Sequence, residues 1–132
     1  MVEAFRRLTK LRSKHRESIS LSIGSGTHTV FLDQIILLES NDHSVSISLT
    51  DGRRLKVWMS LNELERELDK DFLKINRGII VNMSHIMQME TETCIMQDGT
   101  RLPIAVRQRV PIRAAYNNYV FEQLSRREEW RG

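Results

Sequence analysis

From Ser18 onward apolar and polar residues alternate. Ile19, Leu21 and Ile23 are separated by serines, Gly24-Ser25-Gly26 turns the chain, and Val30-Phe31-Leu32 resumes the pattern. A period of two predicts strands with one buried face. Ile35-Ile36-Leu37-Leu38 is continuously apolar and short, as in a strand covered on both sides. Val45, Ile47 and Leu49 alternate again, and Asp51-Gly52 predicts a tight hairpin turn onto Leu55-Lys56-Val57-Trp58, because Gly accepts the positive φ such turns need. Ser60 with Glu63 forms a capping box, and Leu61, Leu64 and Leu68 share one helical face, predicting a helix that ends near Lys70-Asp71. Strands are then expected at Ile79-Ile80-Val81, Ile86–Met89 and Thr93–Met96. A second turn at Asp98-Gly99 leads into Arg101-Leu102-Pro103-Ile104.

Helical spacing marks both ends of the chain. Ile112, Ala115, Tyr116, Tyr119, Val120 and Leu124 form a stripe behind Pro111, which suits a first helical position. Its partner is the domain body, the N-terminal helix or a second subunit. Residues 1–17 carry Arg6, Arg7, Lys10, Arg12, Lys14 and Arg16 against Glu3 and Glu17, with Phe5, Leu8 and Leu11 at helical spacing. This basic amphipathic helix either links the domain to something upstream or contacts DNA or another anionic surface. The division is therefore 1–17 as a basic helical linker, 18–110 as the strand-rich domain, and 111–132 as a C-terminal amphipathic helix and tail.

Composition narrows the class. A chain of 132 residues that is 40% hydrophobic can bury one core, which argues against wholesale disorder. No apolar run approaches the ~20 residues that span a bilayer, and the opening residues hold no apolar leader, so neither a membrane span nor secretion is expected. One cysteine, Cys94, gives no internal disulfide and fits a reducing cytoplasm. Twenty Lys and Arg against 17 Asp and Glu leave a net charge of only +3, so the placement of charge matters more than its sum.

Catalytic chemistry finds no support. His15, His28, His43 and His85 are scattered without metal-ligand spacing. Gly24-Ser25-Gly26 lacks the remaining residues of a phosphate loop, and Glu90/Glu92 and Glu128/Glu129 sit in polar contexts. No nucleophile, base and orienting group converge, so no enzyme, cofactor or metal site is expected. The informative stretch is Phe72-Leu73-Lys74-Ile75-Asn76-Arg77-Gly78-Ile79-Ile80-Val81-Asn82, with Arg107-Gln108-Arg109 further on. Lys and Arg suit phosphates, while Asn and Arg make bidentate bonds to adenine and guanine edges.

That stretch resembles the most recognisable motif of the LytTR DNA-binding domain, the output module of LytR/AlgR-type bacterial response regulators, whose pattern is Phe-x-Arg-Ile-His-Arg-Ser-x-x-Val-Asn. Three other segments resemble the family in the right order: Asp33–Ser40, Ser60–Glu65 and Asp98–Ile104. The resemblance covers about residues 18–112. It implies a mainly β fold, an elongated stack of small antiparallel sheets with one short internal helix, here flanked by N- and C-terminal amphipathic helices.

It also implies that loops, and not a recognition helix, read successive major grooves of double-stranded DNA. Carried over position by position, the DNA-binding residues are His43 and Ser44 in a first loop, Lys74, Asn76 and Arg77 in a second, and Arg107 and Arg109 in a third. Asn76 replaces the usual His, Gly78 the usual Ser, and Ala105-Val106 the usual Ser-Arg, so Arg109 is expected to make up for a lost cation. The implied setting is a cytoplasmic transcriptional regulator of a two-component system. It would bind as a homodimer on repeated half-sites, and the sequence reads as an output domain without a receiver domain, either a part of a response regulator with an upstream receiver domain or a stand-alone member governed in another way, as by a sensor partner. The alternative is a protein-interaction module that works through its terminal helices and touches DNA weakly.

Overall fold

The computed structural model describes residues 17–131, with side chains to residue 126, so the basic helix expected over 1–17 lies, except for Glu17, outside the described residues. The described part is mainly β. β1 (Ser18–Ile23) and β2 (Gly26–Phe31) form a hairpin, and a 3-10 turn (Leu32–Gln34) leads to β3 (Ile35–Ser40), β4 (Val45–Leu49) and β5 (Arg54–Val57). α1 (Leu61–Glu65) precedes β6 (Phe72–Asn76) and β7 (Ile79–Asn82). After a 3-10 turn (Met83–His85) come β8 (Ile86–Met89), β9 (Thr93–Met96) and β10 (Arg101–Pro103). A last 3-10 turn (Val106–Gln108) runs into α2 (Arg109–Arg131).

The strands make three antiparallel sheets: β1-β2, β5-β4-β3-β7-β6 and β10-β9-β8. The five-stranded sheet is central, and register explains the apolar run in β3. Leu38 pairs with Ile47 and Ile80, and all three belong to a core shared with β1, β2 and α1. Leu37 pairs with Val81 and faces the other way, into a second core with Ile75, Cys94, Met96, Leu102 and Ile112. Neighbouring residues of one strand point to opposite faces, so the run Ile35–Leu38 is apolar because β3 is buried on both faces there.

Asp51-Gly52 and Asp98-Gly99 are both turns, with glycine φ of 90° and 91°. Asn82, 2% exposed, ties the sheet to the preceding layer: its Nδ2 donates to the Leu32 and Ile35 carbonyls, and its Oδ1 accepts from the Ser84 amide and hydroxyl.

Three elements differ from the expected pattern. The internal helix has its capping box, but it ends at Glu65 and not near Lys70. The Glu67 and Leu68 amides reach back only three residues, to Leu64 and Glu65, which tightens the last turn and ends the α-helix early. Lys74 and Asn76, expected in a loop, lie in a strand: Phe72–Asn76 is an edge strand with a register shift between Lys74 and Asn76. The terminal helix starts at Arg109, two residues before Pro111. Ile112 is buried and Tyr116 and Tyr119 pack on the second core, so the domain body is the partner of that face, while Leu124 stays 53% exposed.

Candidate nucleic-acid interface

Three loops that lie far apart in sequence are hydrogen-bonded along one edge. The first joins β3 to β4 and is closed by the Asn41 amide donating to the Ser44 carbonyl at 2.8 Å. Asn41 Nδ2 also donates to Ser46 Oγ at 3.0 Å. The Ser40 amide then donates to the Gly78 carbonyl at 2.8 Å, which fastens the first loop to the two-residue Arg77-Gly78 turn between β6 and β7. The third loop follows through the Ala105 amide, which donates to the Ile75 carbonyl at 2.9 Å. Because Ile75 lies at the register shift of β6, its carbonyl faces away from β7 and is available to the third loop.

Asn76 is the second fastening. Its Nδ2 donates to the Pro103 carbonyl at 2.7 Å, and its Oδ1 accepts from the Gly78 amide at 2.9 Å. The side chain predicted to meet a base is thus engaged at both ends in joining the second loop to the third. Pro103 lacks an amide proton, so its carbonyl is the one backbone hydrogen-bonding group it can offer.

The other six candidates separate as well. His43, Arg77 and Arg107 are exposed along this edge, and among the described residues none of them meets a carboxylate. Ser44 does not join them, because it is 4% exposed and serves the loop through its carbonyl. Lys74 pairs with Ile80 and so points to the α1 face, where Nζ donates to Asn62 Oδ1 at 3.3 Å. Arg109 is held by Glu92 at 3.1 Å, and its Nε is buried without a partner. An arginine engaged this way is a strut between α2 and the β8–β9 turn more than a free cation.

Between the second and third loops runs an open groove of about 580 Å³, floored by Ile79, Pro103, Ile104 and Val106, with Glu39 and Arg77 at its borders. Val106, 71% exposed, is the apolar tip of this edge. The positioning role of Asn76 and the clasp by Glu92 escaped the sequence reading. Both are long-range pairings, between partners 27 and 17 positions apart, that no local pattern announces.

Edge loops with unpaired cations on a double-cored antiparallel stack suit a polyanion, and family membership agrees. The profile of the LytTR DNA-binding domain matches residues 25–117, more than two thirds of the chain. The chain belongs to the LytTR family. LytTR domains are DNA-binding and not catalytic modules, found in transcriptional regulators. Among solved structures, the LytTR domain resembles one named as the LytTR DNA-binding domain of a methyl-accepting/DNA response regulator from Bacillus cereus. The two share 24% identity with a TM-score of 0.59, over 81% of this chain and 95% of that one, a likeness in fold. A search among curated protein sequences gives no match. Among the described residues, no helix of the LytTR domain is long and apolar enough to cross a membrane.

Proposed function

We propose that this LytTR domain is the sequence-reading part of a bacterial transcriptional regulator and engages double-stranded DNA with edge loops. The observation that carries the reading is the hydrogen-bonded edge that presents His43, Arg77 and Arg107 together, unpaired and exposed. Arginine forks suit guanine edges in the major groove, and loops hydrogen-bonded to one another hold such forks at a set separation. Lys74 contributes charge from the α1 side, and Asn76 acts by holding the loops and not by touching a base. Residues 18–110 with the first turns of α2 form the reading unit, and 1–17 connect it to a receiver domain or sensor partner in the cytoplasm.

Two copies on repeated half-sites fit this reading, because one small module covers too little DNA for regulatory affinity. The outer face of α2 favours pairing: Val110, Phe121 and Leu124 are 80%, 70% and 53% exposed, and with Ala114 and Asn117 they fall at four-three spacing. A protein-interaction module that uses only this face is the second reading.

Selection of duplexes from a random library, followed by affinity for the winner against scrambled DNA at two salt concentrations, separates the two. Enrichment of a motif repeated about one helical turn apart supports the regulator. No enrichment, with binding that vanishes as salt rises, favours the interaction module.

A further inference from the structure

The central sheet has a face that is only half covered. On the side that holds the second core, the layer of β8–β10 and α2 covers Leu37, Ile79 and Val81, which belong to β3 and β7. The β4 and β5 positions on that same side have no such cover. Register places Ser46 opposite Lys56 and Ser48 opposite Arg54, and Arg54 and Lys56 are exposed. Trp58 continues the alternation just beyond β5 and is 66% exposed, with Lys56 Nζ 4.8 Å from the centre of its ring. A tryptophan left in water at the end of an edge strand is unusual, because burying its area is worth more than that of any other side chain.

This open face adjoins the first loop. Ser46, the cross-strand neighbour of Lys56, accepts the Asn41 hydrogen bond that shapes the loop, and Val57 pairs with Val45 at the loop's end. Trp58 therefore directly follows the residue paired with Val45, at the end of the loop that carries His43. The charge is one-sided: Arg53 is matched by Asp51 at 2.7 Å, whereas Arg54 and Lys56 pair with no carboxylate among the described residues. The carboxylate sharing the face is Glu39, two strands from Lys56, or about 10 Å at the spacing of paired strands.

We propose that Arg54, Lys56 and Trp58 form a second DNA contact, which grips the phosphate backbone flanking the groove entered by the first loop. The inference rests on the DNA-reading function proposed above and extends its footprint from the loop edge onto the face of β5. The two cations neutralise phosphates. The indole holds the Lys56 ammonium above its ring, lowering the freedom lost on binding, and offers its own N–H to a phosphate oxygen. None of these groups reads sequence, so their contribution is the same on every duplex.

The test uses the full chain and the duplex found by selection. Each phosphate contact contributes about 0.9 to the slope of log affinity against log salt, so Lys56→Gln should flatten the slope by roughly 1 and Arg54→Gln with Lys56→Gln by roughly 2. Cognate and scrambled DNA should lose affinity by the same factor, and Lys56→Arg should restore the slope. With Trp130→Phe as background, Trp58 is the one tryptophan left, and its quenching by acrylamide should fall when duplex is added. An unchanged slope with Trp58 equally open to quencher in the complex overturns the inference, as it would if this face served a protein instead. If discrimination between cognate and scrambled DNA survives that result, the reading of bases stands. Absence of affinity for any duplex overturns both.

Discussion

Asn76 and Arg77 are adjacent in sequence and opposite in expected behaviour. Asn76→Ala deletes the link between the Gly78 amide and the Pro103 carbonyl, one partly sheltered and one exposed hydrogen bond, each worth at most about 0.5–1.5 kcal/mol. Urea unfolding should show that loss, and DNA affinity should fall with it because the loops are no longer spaced. Arg77→Ala and Arg107→Ala should leave the unfolding midpoint unchanged. Each should cost about 1–3 kcal/mol on the selected duplex and much less on scrambled DNA, as read by fluorescence anisotropy. Equal losses on both duplexes would remove base reading from these two arginines. Asn82 is the buried counterpart. Asn82→Ala strands the groups around it at about 1–3 kcal/mol for each left without a partner, and the unfolding midpoint should drop accordingly.

At the scale of elements, the capping box of α1 gives a pH signature. The Ser60 amide and hydroxyl hold the Glu63 carboxyl below its ordinary value near 4.5. A lowered carboxylate contributes stability above the unfolded value and loses it as pH falls through the folded one. Glu63→Ala should therefore lower the melting temperature at neutral pH, with the difference shrinking as pH falls below about 4.5. That helix start was legible because a capping box is local; its early end was not, since it follows from two backbone bonds that tighten the turn. β6 was missed for a related reason. Its register shift breaks the period of two, and Lys74 and Asn76 gave the segment the look of a loop. β3, β4, β8 and β9 and both Asp-Gly turns were legible, because strand alternation and turn chemistry are written within a few residues. The candidate cations were legible as residue types, yet exposure alone sorted Arg77 and Arg107 from Arg109, and that depends on Glu92, 17 positions away.

For the whole molecule, the two cores lie on opposite faces of one sheet, and the second depends on α2. Ile112→Ala should cost about 2–5 kcal/mol and expose Cys94. Burial pushes the Cys94 thiol up to about 11, so a disulfide reagent at pH 8 should react slowly with the native chain and quickly once Ile112 is truncated. Above pH 9 ionisation of this thiol favours the unfolded chain, and stability should decline toward pH 11. Neutralising about five to seven phosphates would give a salt slope of roughly −4.5 to −6 for the intact chain. The bond from Ser40 to Gly78 ties the first loop to the second, and those from Asn76 to Pro103 and from Ala105 to Ile75 tie the second to the third, so an edge that reads DNA as proposed would be a gauge with fixed teeth. A duplex that does not match such a gauge is the partner that has to yield. Base steps that no side chain touches then enter the affinity through their stiffness, and soft TA or CA steps beneath the edge should be preferred over rigid A-tracts of the same contacted sequence.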